Sequence, residues 1–320
     1  MKNLWKYSNV GELCVRDVVI DSGRDGKETV IVHMTDLHYK GCNENDMKDP
    51  VLASTAEKRW AFDTKNTVPN ARAALDFADS LSPDHIVITG DVLDYLSEGS
   101  LELFRSEIWD RYRDSDGIQS KVIVTMGNHE PLRRMQGEVP ETLSTEERIK
   151  MVEKAWEHDI YYVSRVLDDK VMIIGIDNST RADDGNPGFY EWQIAPLERD
   201  LKLARENGYV VLMFYHIPLS TGNEADTAVE ASVIGDKNGR FCDIYHGGIG
   251  PWCSVAAEKI YGMITSNADI IKGLFCGHNH NDYYTEVLAK TKDGREEVIP
   301  QYVLVGTPYQ KGHVLKITVR

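Results

Sequence analysis

Side chains of the types that bind transition metals stand directly after several short apolar runs of this sequence. Carboxylate, imidazole and amide groups together suit Mn, Fe or Zn, whereas Ca²⁺ prefers all-oxygen shells and Cu(I) prefers sulfur. The candidate ligands are Asp36, His38, Asp91, Asn128, His216, His278 and His280. These seven ligands are too many for one tetrahedral ion and suit two adjacent ions that share a carboxylate. Such a pair of ions can activate a water molecule and neutralise charge on a reacting group.

The apolar runs before these residues have the composition of buried strands. They are rich in β-branched residues, and helix-like or loop stretches lie between them, which predicts an α/β fold. The six runs cover residues 29–35, 85–89, 121–126, 171–176, 209–215 and 270–276. Five of the six end in a candidate ligand, and open α/β sheets bind ligands at the C-terminal ends of their strands. Gly90, Gly127 and Gly277 adjoin the candidate ligands and permit the bends that would turn several side chains towards one centre.

Helices are predicted between the strands. One covers residues 69–81, a second is opened by Ser144, which forms a capping-box pattern with Glu147, and a third follows Tyr190.

The C-terminal stretch has a different pattern from the rest of the chain. Alternating strands at 302–305 and 314–319, with a turn at 292–295, predict strand pairing without intervening helices. No internal repeat and no Pro/Gly/Ser-rich linker divides the chain, so we predict a single domain over residues 1–320. Two stretches are long for plain connections, and we expect them to be lids or pocket loops. They are residues 39–63 and 218–255.

The composition is that of an ordinary globular protein, with 42% hydrophobic and 27% charged residues and a formal net charge of -15. This negative charge opposes the phosphate attraction that dominates nucleic-acid binding, so we expect no long nucleic acid as a partner. No apolar run reaches membrane-spanning length, and residues 1–10 lack the apolar core of a signal peptide. We therefore expect no membrane partner.

The five cysteines form an odd set without a C-x-x-C pair. This pattern argues against a disulfide framework and against a structural zinc site. We therefore expect reduced thiols and a cytoplasmic location, with a bridge between Cys242 and Cys253 as the open alternative.

The ordered motifs D-x-H, G-D-x-x-D, G-N-H-E, H and G-H-x-H, which run from Asp36 to His280, resemble the calcineurin-like metallophosphoesterase superfamily. The resemblance implies a two-sheet β-sandwich flanked by helices (α/β/β/α), with a dinuclear metal centre at the strand ends. It implies two divalent or mixed-valence ions of Mn, Fe or Zn that share Asp91 as a bridging ligand. The first ion would be held by Asp36, His38, Asp91 and His280, and the second by Asp91, Asn128, His216 and His278.

Two departures narrow the resemblance. Purple acid phosphatases have a tyrosine ligand where this sequence has Asp94, so an iron-tyrosinate colour is not expected. Ser/Thr protein phosphatases have an arginine where this sequence has Tyr95, so one of their phosphate clamps is missing. The motif set is more similar to the bacterial cyclic-nucleotide-phosphodiesterase-like and general phosphatase branches.

A proton donor for the leaving group is expected beside the ligands. His129 adjoins Asn128 but lies outside the implied ligand set, and Asp94 resembles the family's orienting partner for it. The alternative for Asp94 is a helix N-cap. Arg133 and Arg134 follow closely and would be either phosphate clamps or a solvated basic turn.

The expected function is hydrolysis of a phosphate ester, by a hydroxide between two metal ions with His129 as the acid. A small-molecule phosphodiester is the expected substrate. Two alternatives stay open: a phosphomonoesterase with the same dinuclear site, and a metal-binding scaffold without catalysis. The ligands do not separate the two esterases, because substrate choice depends on loops such as the one that contains His246.

Overall fold

Two β-sheets pack face to face in this protein, and helices cover the outer face of each. The structure is a computed structural model. It describes residues 14–23, 26–61, 67–117, 121–134, 139–168, 170–179, 188–219, 221, 255–280, 282–307 and 313–320. Within these ranges no helix is long and apolar enough to cross a bilayer.

The strands of the described ranges form one five-stranded and one six-stranded sheet. They are β1 (Cys14–Ile20), β2 (Thr29–Met34), β3 (His85–Thr89), β4 (Val122–Thr125), β5 (Tyr162–Leu167), β6 (Val171–Ile176), β7 (Val210–Phe214), β8 (Ile271–Cys276), β9 (Tyr283–Lys290), β10 (Glu296–Val303) and β11 (His313–Val319). The first sheet has the order β1-β11-β2-β3-β4 and the second β5-β6-β7-β8-β10-β9. In each sheet the strands that precede candidate ligands are parallel neighbours, namely β2-β3-β4 and β7-β8. Their C-terminal ends therefore lie at a common edge.

Helices connect the strands as the sequence predicts, with additions. They are α1 (Pro50–Ala61), α2 (Thr67–Ser80), α3 (Glu98–Phe104), α4 (Thr145–Ala155), α5 (Ile194–Asn207) and α6 (Val255–Ser266). The capping box before α4 is present, because the Ser144 side chain accepts the Glu147 N–H and the Glu147 carboxylate accepts the Ser144 N–H. Helix α5 follows Tyr190 after one 3₁₀ turn.

Alternation along the strands produces three apolar layers. In β3, Val87 faces the layer between the sheets, whereas Ile86 and Ile88 face the helices that cover the first sheet. In β7, Leu212 lies between the sheets and Met213 faces the opposite way, towards α5 and α6. Side chains of both faces are buried, so these strands are apolar throughout.

The predicted two-sheet sandwich is confirmed, and the C-terminal stretch forms paired strands. A hairpin does form across the 292–295 turn, since β9 and β10 pair in antiparallel fashion. Strand β11, however, leaves that sheet and inserts between β1 and β2 of the first sheet. Its alternating pattern shows a half-buried strand but does not say which sheet accepts it.

Cys42 and Cys276 are buried free thiols. Cys242, Cys253 and His246 lie outside the described residues, as does most of the 218–255 stretch.

Candidate metal centre

The candidate ligands lie at one edge, where strand ends from both sheets meet. Asp36, Asp91 and Asn128 follow β2, β3 and β4 of the first sheet, while His216 and His278 follow β7 and β8 of the second. The fold therefore brings residues far apart in the sequence into one place.

Hydrogen bonds fasten these strand ends to one another. The His38 N–H donates to the Asp91 carbonyl over 2.9 Å, and the Gly277 N–H donates to the His216 carbonyl over 3.0 Å. The two sheets are joined as well, because the ring Nδ1 of His216 donates to the Thr89 carbonyl over 2.8 Å.

The backbone is strained at the candidate ligands themselves. Within the described part of the chain, seven non-glycine residues have positive φ, and five of these are candidate ligands. These five are Asp36 (52°), His38 (45°), Asp91 (46°), His278 (69°) and His280 (50°). Left-handed conformations cost non-glycine residues free energy and concentrate at functional sites. The bends expected at the neighbouring glycines are thus made largely by the ligands.

The glycines beside the ligands chiefly make room. Only Gly90 of the three has positive φ, at 71°. A Cβ atom on Gly127 would overlap the backbone and carboxylate of Asp91, and a Cβ atom on Gly277 would overlap the carboxylate of Asp36. Glycine is therefore required where one strand end passes directly over a carboxylate of another.

One group of ligand atoms surrounds the first position. Asp36, His38, Asp91 and His280 each turn one donor atom towards a common point, with these atoms within 4.8 Å of one another. His280 Nε2 lies 3.2 Å from both His38 Nε2 and Asp36 Oδ1. His38 Nε2 lies 4.0 Å from Asp91 Oδ2.

A second group lies on the other side of Asp91. Asp91, His216 and His278 again turn one donor atom each towards a common point. The Asn128 Oδ1 atom lies 2.9 Å from His278 Nδ1 and 3.1 Å from His216 Nε2, and His216 Nε2 lies 3.2 Å from Asp91 Oδ2. Asp91 Oδ2 thus belongs to both groups.

These distances fit the edges of coordination polyhedra. Metal–nitrogen bonds of 2.0–2.1 Å in a tetrahedral site imply ligand atoms separated by roughly 3.3 Å. His38 Nε2 and His280 Nε2, which are 3.2 Å apart, lie close to that separation. The donor set of nitrogen, carboxylate and one amide oxygen also suits Mn, Fe or Zn. The residues present therefore fit the dinuclear centre that the sequence predicts.

The remaining atoms of these ligands are held by the protein. Asp36 Oδ2 accepts hydrogen bonds from Thr35 Oγ1 at 2.6 Å and the His278 N–H at 3.0 Å, which leaves Oδ1 facing the first group. Asp91 Oδ1 accepts the His129 N–H at 2.8 Å, which leaves Oδ2 between the two groups. Contacts of this kind fix the orientation of metal ligands.

The electrostatics of the site favour ionised carboxylates. Burial alone would raise the pKa of Asp36, but hydrogen bonds from His280 and His38 hold it well below the ordinary value. Burial likewise opposes ionisation of Asp91, and the neighbouring His216 and His129 lower its pKa. Both aspartates thus take the ionised form that binds metal.

Glu130 is a functional residue that the sequence did not single out. It is fully buried, and its two oxygens accept the backbone N–H groups of Gly127 at 2.6 Å, Asp91 at 3.1 Å, Val92 at 2.6 Å and Leu93 at 3.1 Å. Burial and the charge of Asp91 raise the pKa of Glu130 to about 7. One carboxylate therefore sets the path of the loop that carries Asp91. In the sequence, its place as the fourth residue of the G-N-H-E motif was the feature that could have indicated a role for Glu130.

His129 lies beside both groups without joining either. Its Nδ1 donates to the backbone carbonyl of Asp94 over 2.9 Å, and its Nε2 lies 3.9 Å from Asp91 Oδ2. Burial lowers the pKa of His129, and the charge of Asp91 opposes that shift. About one-sixth of the His129 side chain (15%) and a third of the His280 side chain (34%) are exposed, so the centre opens to solvent on their side.

The carboxylate of Asp94 lies nearer to His38 than to His129. Its Oδ1 lies 4.0 Å from His129 Nδ1 but 3.2 Å from His38 Nδ1. Arg59 holds the carboxylate in this position, with Nε donating to Oδ2 over 2.8 Å and Nη2 donating to Oδ1. Asp94, His38 and His129 lie close enough to count as a third cluster of ligand-type atoms. The hydrogen bond of His129 goes to the backbone carbonyl of residue 94, and the carboxylate is at ion-pair distance from the ring.

The 39–63 stretch packs closely against the site in its described part. Asp46 is buried and accepts the backbone N–H groups of Glu98 and Gly99, each over 2.9 Å, at the start of α3. Helix α1 follows and carries Arg59 in its last turn.

Two further residues have structural partners. Arg133 is buried and forms ion pairs with Asp49 and, over 2.9 Å, with Glu141. This pairing differs from both a phosphate clamp and a solvated turn. The Tyr95 hydroxyl donates to the Gly41 carbonyl over 3.2 Å, away from the ligand groups.

A family model for calcineurin-like phosphoesterases matches residues 29–282. No curated protein sequence matches the chain. Similar solved structures include a dimetal phosphatase from Danio rerio, at 13% identity and a TM-score of 0.49, with 89% of this chain and 90% of that chain covered. Another is a purple acid phosphatase from yellow lupin (Lupinus luteus) seeds, at 13% identity and a TM-score of 0.47. That match covers 89% of this chain and spans 45% of the lupin chain.

The glycine contacts generate a prediction. Gly277→Ala should weaken metal binding at least 10-fold, because the added methyl group overlaps the carboxylate of Asp36 and displaces a ligand held by neighbouring hydrogen bonds. Metal affinity is measured by competition with a coloured chelator.

Gly262→Ala is the matched control, since Gly262 lies in α6 with no atom within 4 Å of an added Cβ. It should leave metal affinity unchanged and raise the free energy of unfolding by about 1 kcal/mol. Equal metal affinity in both variants would show that the overlap at Gly277 has no consequence for the centre.

Proposed function

The chain belongs to the calcineurin-like phosphoesterase family, whose members are phosphoester hydrolases, and we propose that it cleaves a small-molecule phosphodiester at a dinuclear metal centre. The observation that carries the proposal is the position of Asp91, which belongs to both ligand groups and turns Oδ2 towards His38 and His216. A carboxylate oxygen shared in this way suits two adjacent ions.

The ligand assignment follows the two groups. Asp36, His38, Asp91 and His280 would hold one ion, and the second would be held by Asp91, Asn128, His216 and His278. The donor types support Mn, Fe or Zn. When bound, two such ions supply a hydroxide nucleophile at neutral pH and neutralise charge on the phosphoryl oxygens.

Side chains of the protein determine the charge of the site and the side from which substrate approaches. Asp36 and Asp91 contribute two negative charges beneath the centre, which leaves a surplus of positive charge for a phosphoryl anion although the whole protein carries -15. Substrate approaches from the exposed side, which His129 and His280 line.

His129 is placed to donate a proton to the leaving oxygen. Its Nδ1 hydrogen is engaged by the Asp94 carbonyl, so the ring is fixed and Nε2 faces the centre. A fixed ring with one nitrogen directed at the reaction site meets the geometric requirement for general acid catalysis.

Three further assignments concern the domain, the location and the size of the substrate. The described core lies continuously between the two sheets, which supports one domain over residues 1–320. The buried free thiols Cys42 and Cys276 support a cytoplasmic location. The surplus of negative charge supports a small molecule rather than a long nucleic acid as substrate.

Hydrolysis and metal content should rise and fall together. The purified protein should bind two ions per chain, lose hydrolysis of phosphate esters on chelation and regain it with Mn, Fe or Zn, because both groups of donors are needed to position the nucleophile. Paired substrates with the same alcohol, one a diester and one a monoester, measure the substrate class by kcat/KM. Faster monoester turnover would favour the phosphomonoesterase alternative, and metal binding without turnover of either would favour the scaffold.

His129→Ala should keep both metals and slow hydrolysis by roughly 10²- to 10⁴-fold, the usual contribution of a positioned acid or base. The loss should be greater for an alkyl ester, whose alkoxide needs a proton, than for a nitrophenyl ester, whose leaving group departs as an anion. Initial rates on the two esters with saturating metal measure the difference. His158→Ala is a control. It removes a histidine whose Nε2 accepts a hydrogen bond from the Val124 N–H of the first sheet. Equal losses for both esters would assign His129 to stabilisation of phosphoryl charge instead.

A further inference from the structure

Asp94 contacts a network of buried charged groups that reaches the site from α1. The Arg59 fork holds both of its oxygens, and Lys40 Nζ lies 3.5 Å from Oδ2. The exposed fractions of Asp94, Lys40 and Arg59 are 0%, 1% and 7%. Lys40 also donates to the Arg59 carbonyl over 3.2 Å, in the last turn of α1, where a cation is favoured by the helix dipole.

The network determines which histidine the Asp94 carboxylate contacts most closely. A planar guanidinium that binds both oxygens fixes the plane of a carboxylate as well as its position. In this plane Oδ1 lies 3.2 Å from His38 Nδ1 and 4.0 Å from His129 Nδ1. Arg59 donates to both oxygens of this carboxylate and the Lys40 ammonium lies beside it, so Asp94 acts as an acceptor.

The contact with Asp94 also orients the His38 ring. An accepting carboxylate at Nδ1 places a ring hydrogen on that atom, and Nε2 then lies on the side of Asp36 Oδ1, 3.7 Å away, and of His280 Nε2. A carboxylate behind a metal-binding imidazole fixes the ring and raises its basicity.

We propose that Arg59 is a positioning residue that holds Asp94 against His38, so that residue 94 orients a metal ligand with its carboxylate and the acid His129 with its backbone carbonyl. The inference rests on the proposed function, because it takes His38 as a ligand of the first ion. It assigns the carboxylate a different task from the one that the sequence suggested.

The two tasks of residue 94 are separable by substitution. Asp94→Asn removes the carboxylate but keeps the backbone carbonyl that His129 contacts. Metal affinity at the position of Asp36, His38 and His280 should fall by roughly 10- to 100-fold, the usual effect of removing such a partner. With saturating metal, the rates on alkyl and nitrophenyl esters should fall by the same factor.

Arg59 should act in the same direction through Asp94. Arg59→Gln removes the charged fork and should weaken the same metal position, whereas Arg59→Lys keeps the charge without the bidentate geometry and should give an intermediate loss. The double variant Asp94→Asn/Arg59→Gln should be no worse than Asp94→Asn, because both changes interrupt one chain of contacts.

Arg133→Gln is the matched control. Arg133 is also buried and ion-paired, and its partner Asp49 lies just before the other end of α1. Arg133→Gln should loosen α1 without removing a contact to Asp94. If Arg59 does more than dock α1, metal affinity should stay unchanged in this variant.

A direct readout is the ¹⁵N and ¹H resonance of the His38 ring, followed in the metal-free and Zn²⁺-loaded protein. A proton on Nδ1 with the downfield shift of a carboxylate hydrogen bond is expected, with its loss in Asp94→Asn. Zn²⁺ affinity is measured by chelator competition for every variant. The inference is overturned if Asp94→Asn keeps the wild-type Zn²⁺ affinity. It is also overturned if Asp94→Asn slows hydrolysis of the alkyl ester selectively, because the carboxylate would then act on His129. Failure of the proposed function is distinct from both, because the wild-type protein would then bind no metal or hydrolyse neither ester.

Discussion

The position of one oxygen atom, Asp91 Oδ2, constrains the rest of the site. It lies 3.2 Å from His216 Nε2 on one side and 4.0 Å from His38 Nε2 on the other, and Asp91 is the residue that the two ligand groups share. Its partner oxygen is held by the His129 N–H, and the backbone on either side of it is held by Glu130. A carboxylate left free to rotate could not serve two ions at once, so several buried hydrogen bonds are devoted to one side chain.

The backbone that delivers these ligands is held in unfavourable conformations. Each left-handed non-glycine residue costs of the order of 1–3 kcal/mol, and five ligands adopt that conformation. Parallel strands with buried faces provide the rigidity that offsets this cost, since their ends are locked by hydrogen bonds within each sheet and, through His216 and Thr89, between the sheets. The arrangement explains why the ligands stand on strand ends rather than on the long loops: only a rigid element maintains strained residues in register.

The sequence predicts the strands that carry the candidate ligands better than it predicts the residues around them. Strands β3 and β6 match their predicted limits, because uninterrupted β-branched runs have few alternatives. The partner of Asp94 was not predictable: Arg59 is 35 residues away, on a helix within a stretch expected to be a lid. The role of Glu130 could not be predicted from the G-N-H-E motif, because contacts with four backbone N–H groups produce no periodic pattern in the sequence. Strand β11 could be recognised as a strand, whereas its sheet depends on tertiary packing.

The central claim is that one carboxylate joins two metal ions, and X-ray absorption at the metal edge tests it most directly. The loaded protein should show a metal–metal scattering path of about 3.5–4 Å, the separation found in two-metal sites. Asp91→Asn should abolish that path, and Asp177→Asn, a change to a buried aspartate that follows β6, should preserve it. A single ion per chain, or two ions without a short path between them in the wild-type protein, would contradict the account.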